Sequence, residues 1–315
     1  MSKISKKSFF NILKIAVFLF CFYIIGKNIF NEDKALEAII NFDYQYLIVI
    51  VFLSYILIFL QTRCIYNVIL YTTDVKIKFT EWNQIFFNSQ IFNMLITTSG
   101  FIYRAYKLKK FSMSLQNYIN INYFLAWFYL FFLLIFYSLE IYIFANSFTI
   151  YSYSPSYFLF LLTILIFTFP FFVLYIFPKN FKLGGSIIEW IYEKSLNILF
   201  FSKQSILNKK LLLMLVKFGL FSHFFQFLTM YLLIKALNYD VSLQFIIIFF
   251  VINSLFDQIP ITPKNIGITE IAMAFVGMQG GLIFSQGLTI KLLLRIINAL
   301  TILSVSLFFN IKNIK

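Results

Sequence analysis

Long apolar runs decide what this chain can fold into. A membrane-spanning helix needs about 20 mostly apolar residues. Runs of that kind occur at about residues 10–26, 45–61, 119–140, 157–177, 211–235, 242–259 and 285–309. Two shorter stretches stand apart, at about 84–98 and 268–280. Of the 315 residues, 61% are hydrophobic and only 12% are charged. A soluble domain carries about twice that charge, so a water-soluble fold is excluded. The expectation is an all-α, polytopic integral membrane protein. The opening lysines and apolar run look like a signal peptide, but no small-residue cleavage site follows. Phe22-Tyr23-Ile24-Ile25 continues the run, which predicts a retained first helix.

Charge predicts orientation. Lys3, Lys6, Lys7 and Lys14 hold the N-terminus in the cytoplasm. The next loop, 27–44, sets Lys27 and Lys34 against Glu32, Asp33, Glu37 and Asp43 and belongs outside. If 84–98 crossed fully, Arg104, Lys107, Lys109 and Lys110 would land outside, against the positive-inside rule. That stretch is also polar, with Asn88, Ser89, Gln90, Asn93, Thr97, Thr98 and Ser99, and it ends at Gly100. A re-entrant hairpin is therefore expected, of a kind tolerated only within protein or beside a wet cavity. Segment 179–210, with six lysines against Glu189 and Glu193, is expected inside as a linker with an amphipathic helix near 187–198. It separates a first membrane half, 1–178, from a second, 211–315. If the segment near 260–280 is re-entrant, seven crossings put the C-terminus outside; if it crosses, eight put it inside. Lys312 and Lys315 favour inside.

The net charge of +14 fits loops facing anionic lipid. Nucleic acid is not an expected partner, since no soluble module exists to present a basic face. Cys21 and Cys64 make no disulfide framework. His223, the sole histidine, reads as a helix-packing residue. No phosphate-binding loop, nucleophile elbow or metal signature occurs, so no cofactor or metal is expected.

Interrupted hydrophobic segments in corresponding halves mark binding sites in transporters. Phe92-Asn93-Met94-Leu95-Ile96-Thr97-Thr98-Ser99-Gly100 and Phe256-Asp257-Gln258-Ile259-Pro260-Ile261-Thr262-Pro263-Lys264 share that pattern. Two inverted halves with re-entrant or broken helices are expected from it.

Pro263-Lys264-Asn265-Ile266-Gly267-Ile268-Thr269-Glu270 resembles the Pro-Gly-Gly-Leu-Gly-x-x-Glu motif of the lysylphosphatidylglycerol synthase transmembrane-region family, which is flippase-like. Arg295 matches the arginine of that family's last helix. Gly100 through Arg104-Ala105-Tyr106 is similar to its Gly-x-x-x-Arg-Ala-Tyr step. Lys264-Asn265 stands where the family has a glycine pair. The acids usual before the first arginine are replaced by Phe101, Ile102 and Tyr103, and a Glu-Arg pair is absent around Asn120 to Phe124. Members that make aminoacylated lipid carry a further synthase domain, so the resemblance implies movement of lipid rather than its synthesis.

Arginine is scarce: only Arg63, Arg104 and Arg295 among 26 basic residues. Its planar fork suits phosphate and carboxylate. Snorkelling at a helix end accounts for Arg63. Arg104 and Arg295 are candidate headgroup contacts, sharing one site, with Lys264 at a helix start and Lys291 one turn before Arg295. Glu270 and Asp257 are the matching acids, Glu270 pairing with Arg295; a purely structural bridge is the alternative. Gly100, Pro260, Pro263 and Gly267 are the expected helix breaks. Glu140 reads as an interfacial charge, and Trp82, Trp127 and Trp190 as belt or packing residues.

The expected function is flippase-like passage of an anionic phospholipid or lipid-linked sugar between leaflets of the cell membrane. The rivals are a membrane-embedded glycosyl- or acyltransferase, using the acids of the outer loop, and a non-transporting envelope scaffold. Phosphate-bearing membrane lipids are the expected partners, with a second copy or envelope-biosynthesis proteins as further candidates.

Overall fold

The computed structural model describes residues 39–96, 98–144, 155–176, 191–200, 208–258 and 265–312, together with Tyr23 and Glu37. The expected helix at 10–26, Trp190 and the first part of the predicted amphipathic helix, and Pro260, Pro263 and Lys264 lie outside these residues. Among the described residues every regular element is helical. Four helices are long and apolar enough to cross a membrane. They are α1 (Tyr44–Thr72), α4 (Leu115–Phe144), α6 (Lys209–Ala236) and α9 (Phe284–Lys312).

Local chemistry sets where these helices begin and end. Asp43 Oδ1 accepts from the Gln45 N–H at the start of α1 (3.0 Å). Asn208 caps α6, its Oδ1 accepting from the Leu211 N–H (3.2 Å). The chain leaves that helix through Asn238, whose φ of 55° is left-handed, a conformation asparagine tolerates better than most side chains. α1 runs well past the apolar stretch 45–61, so Arg63 sits inside it, its guanidinium 5.6 and 4.6 Å from the Tyr66 and Phe79 ring centres. Its exposed guanidinium faces those two rings.

The stretch expected as a hairpin lies in α2 (Phe79–Leu95) and the turn that leads to α3 (Ser99–Leu108). At 10 residues, α3 is about 15 Å long, half a bilayer core. The turn between them is tight. The Gly100 N–H donates to Asn93 Oδ1 (2.8 Å), and a Cβ on Gly100 would lie 2.0 Å from the Ser89 carbonyl oxygen. Only glycine permits that approach. Asn88 bonds between helices, its Oδ1 accepting from Ser306 Oγ (2.7 Å) and Asn310 Nδ2 (3.0 Å). Trp82 is fully buried and donates to the Thr62 carbonyl (3.0 Å), a packing role.

α5 (Pro155–Ile176) packs on α4 through Trp127, Phe131 and Phe167. Residues 191–200 form a further helical stretch, from which Asn197 Nδ2 donates to Asn120 Oδ1 of α4 (3.0 Å). α7 (Leu243–Asp257) is capped by Ser242 and buried over most of its surface. α8 (Ile268–Gln279) turns through Gly280-Gly281 into α9, with Gly277 against the Cα of Gly287.

The chain divides into two compact units. The first comprises residues up to Ile56, Phe87–Phe101 and Gln226 onward; the second comprises Leu57–Phe86 and Ile102–Phe225.

Candidate functional site

Four charges meet in the first unit, on α7, α8 and α9: Glu270 and Lys291 buried, Arg295 half-buried and Asp257 exposed. Lys291 Nζ lies 2.7 and 2.9 Å from the two Asp257 oxygens and donates to Asn253 Oδ1 at 2.7 Å. An ammonium has three donors, and these acceptors occupy them. One turn on along α9, Arg295 Nε lies 2.7 Å from Glu270 Oε1, and Nη2 donates to Thr269 Oγ1 (2.9 Å). Two cations and two carboxylates cancel, which an apolar surrounding requires.

Glu270 is 0% exposed and is held from two sides. The Gly267 N–H donates to its Oε2 (2.6 Å), and the Thr269 hydroxyl lies 3.2 Å from the same oxygen. This closes the start of α8 on itself, since the carboxylate of the third helical residue takes an orphan N–H. One N–H at this helix start, that of Gly267, is thus taken by the protein's own carboxylate. The contact with Arg295 is one of charge: Glu270 Oε1 accepts no hydrogen bond within the described residues. Arg295 Nη1 is buried and likewise has no partner among them. One edge of the guanidinium fork remains open.

The break between α7 and α8 is clamped by Asn265. Its φ of 57° is left-handed, which is why glycine suits this position in the motif the chain resembles. Its Nδ2 also donates to the carbonyls of Phe256 (3.1 Å) and Asp257 (3.2 Å), capping the end of α7. Neither Asn265 nor Asn253 stands out in the sequence as a site residue. The spacing of Asn253 and Asp257, four apart on one helix face, is the signal that finds the former.

Arg104 belongs to the second unit, on α3. It is 8% exposed, its guanidinium carbon lies 5.4 Å from the Phe86 ring centre, and its Nε is buried without a hydrogen-bond partner among the described residues. No acid there pairs with it. Gly100 lies in the first unit against α2, and no group of three His, Cys, Asp or Glu residues able to hold a metal occurs among the described residues.

Apolar crossing helices with charges balanced inside them define a polytopic α-helical membrane protein. The chain belongs to the family described as Lysylphosphatidylglycerol synthase TM region, a flippase-like family whose match covers residues 11–306. No curated protein and no solved structure gives a significant match.

Proposed function

We infer that the protein carries an anionic lipid between leaflets, holding the headgroup phosphate with buried arginine while the acyl or prenyl chains stay in the bilayer. The observation that carries this is Arg104, a buried guanidinium with no acid beside it among the described residues. Buried charges persist when they are paired or wetted. Lys291 and Arg295 have their carboxylates; Arg104 takes its counter-charge from the cargo. A phosphate meets the guanidinium through parallel hydrogen bonds, and a phospholipid or a lipid-linked sugar supplies the same group. The open Nη1 of Arg295 is a second contact of this kind, and Lys264 adds charge six positions before Glu270, the partner of Arg295. Lys291 serves the cluster through Asp257.

The N-terminus and the basic stretch Arg104–Lys110 are taken as cytoplasmic, following the positive-inside rule. Two related halves with interrupted segments find support in two breaks that are each stitched by an asparagine: Asn93 to Gly100, and Asn265 to the end of α7. In this scheme α2, its turn and α3 enter and leave on one side.

Binding separates from transport in a thermal-stability assay in neutral detergent. Added phosphatidylglycerol is expected to raise the melting temperature more than phosphatidylcholine does, and Arg104→Met is expected to remove the difference. Equal effects of the two lipids on the wild type would overturn the inference.

A further inference from the structure

The one histidine of the chain lies midway along a membrane-crossing helix, against a carboxyl group. His223 Nε2 of α6 is 2.5 Å from Glu140 Oε1 of α4, both within the second unit. His223 is buried, and Glu140 Oε2 is buried with no hydrogen-bond partner among the described residues. A close approach of the two helices brings the pair together. A Cβ on Gly219, one turn before His223, would lie 2.7 Å from the Phe132 ring. Phe132, Phe136 and Glu140 form one stripe on α4, and the Phe136 and Tyr137 ring centres lie 5.6 and 5.3 Å from that of His223.

A hydrogen-bonding contact between an imidazole nitrogen and a carboxyl oxygen contains a proton, because otherwise two lone pairs would face each other. A neutral imidazole whose Nε2–H donates to the carboxylate leaves the pair with one negative charge. The form with one proton more is neutral, as imidazolium and carboxylate or as imidazole and carboxylic acid; losing that proton, or gaining another seated on Oε2, leaves a net charge. Either change charges an apolar seam, so it is tied to how closely the helices pack there.

The titratable groups facing the ring from α4 are the Glu140 carboxyl and the Tyr137 phenol. α5, also packed on α4, carries no charged residue. α1 meets α4 at Cys64 and Tyr129, and Arg63 is turned to the Tyr66 and Phe79 rings. Lys194 lies over Tyr123, and Arg104 acts on Tyr118. Tyr123 and Tyr118 lie about 25 and 33 Å from Glu140 along α4.

We propose that Glu140 and His223 form a proton-binding site whose occupancy changes as α4 and α6 repack. The proton comes from water on one side and returns to water. The site rests on its own geometry; its use to drive lipid across the membrane rests on the transport reading above.

The full chain in lipid nanodiscs, labelled with carbon-13 histidine, gives one imidazole signal. That signal is expected to move reversibly as the pH is varied, and its profile is expected to change in Glu140→Gln. Glu140→Asp, which keeps the carboxyl but shortens its reach, serves if the glutamine variant does not fold. A signal indifferent to pH, or the same profile in the variant, makes the pair a packing contact and overturns the proposal. In vesicles, one proton per lipid supports about a tenfold leaflet asymmetry for a gradient of about one pH unit. The wild type is expected to approach that asymmetry, and Glu140→Gln is expected to lose it. A titrating imidazole in vesicles that move lipid without regard to the gradient refutes the coupling; a titrating imidazole with no lipid movement at all refutes the transport reading and leaves the site standing.

Discussion

The indole of Trp127 donates at 3.1 Å to the carbonyl oxygen of Ile166, the oxygen that Pro170 would bond if it had an N–H. Pro170 sits inside α5, and a proline there breaks the bond from its position to the carbonyl four residues back. Surrounded by hydrocarbon, that carbonyl would be costly to leave bare. α4 supplies the missing donor and is fastened to α5 by it.

Trp127→Phe keeps the stacking and removes the donor. It is expected to cost about 1–3 kcal/mol, the penalty of an unsatisfied buried acceptor. Pro170→Ala in that background returns an N–H to the Ile166 carbonyl and is expected to recover most of the loss. Unfolding in mild detergent reads the cycle. A double variant no more stable than Trp127→Phe would show that this carbonyl is not the reason.

Asn265 combines a left-handed backbone with two carbonyl bonds. Asn265→Gly retains the conformation and loses the bonds, for an expected cost of about 1–3 kcal/mol. Asn265→Ala adds about 1–2 kcal/mol of backbone strain. The order Asn, Gly, Ala in melting temperature is the test, and alanine equal to glycine would count against the strain.

The two buried arginines are expected to respond in opposite ways. Glu270→Gln strands Arg295 and is expected to cost about 3–5 kcal/mol where the pair is dry. Arg104→Met removes a cation that has no acid beside it among the described residues, so in lipid-free detergent the melting temperature is expected to hold or rise. A fall as large as that of Glu270→Gln would mean that Arg104 is a structural residue.

The side of the membrane is read by chemistry at Lys109. In a background without Cys21 and Cys64, a cysteine placed there is expected to resist impermeant label applied to intact cells. Strong labelling would put the basic stretch outside and remove the one-sided entry of α2 and α3.

Apolar length located the four long helices, because a bilayer leaves a helix few alternatives, whereas the run at 242–259 forms a helix of only 15 residues, Leu243–Asp257. Glu270, Arg295 and the Gly267 step were legible for a related reason: charges and glycines are rare in such helices and have few bland uses there. Three features were not. α1 continues past its apolar run to Thr72, and there Arg63 faces the rings of Tyr66 and Phe79, contacts that residue-by-residue hydropathy does not contain. Lys291 resembles a spare cation until Asn253 and Asp257 are seen around its nitrogen. Glu140 reads as an interfacial charge, since its partner His223 lies 83 positions away.

The central claim is tested most directly by leaflet exchange. Purified protein is reconstituted into vesicles bearing a fluorescent phosphatidylglycerol, and a membrane-impermeant quencher reports how fast inner-leaflet lipid becomes accessible. Wild-type protein is expected to accelerate exchange well above empty vesicles. Arg104→Met is expected to fall to the empty-vesicle rate while remaining folded, and Arg295→Lys, which keeps the charge and loses the fork, is expected to fall between. Exchange in the Arg104→Met vesicles equal to that of the wild type, or no acceleration by the wild type at all, would contradict the account.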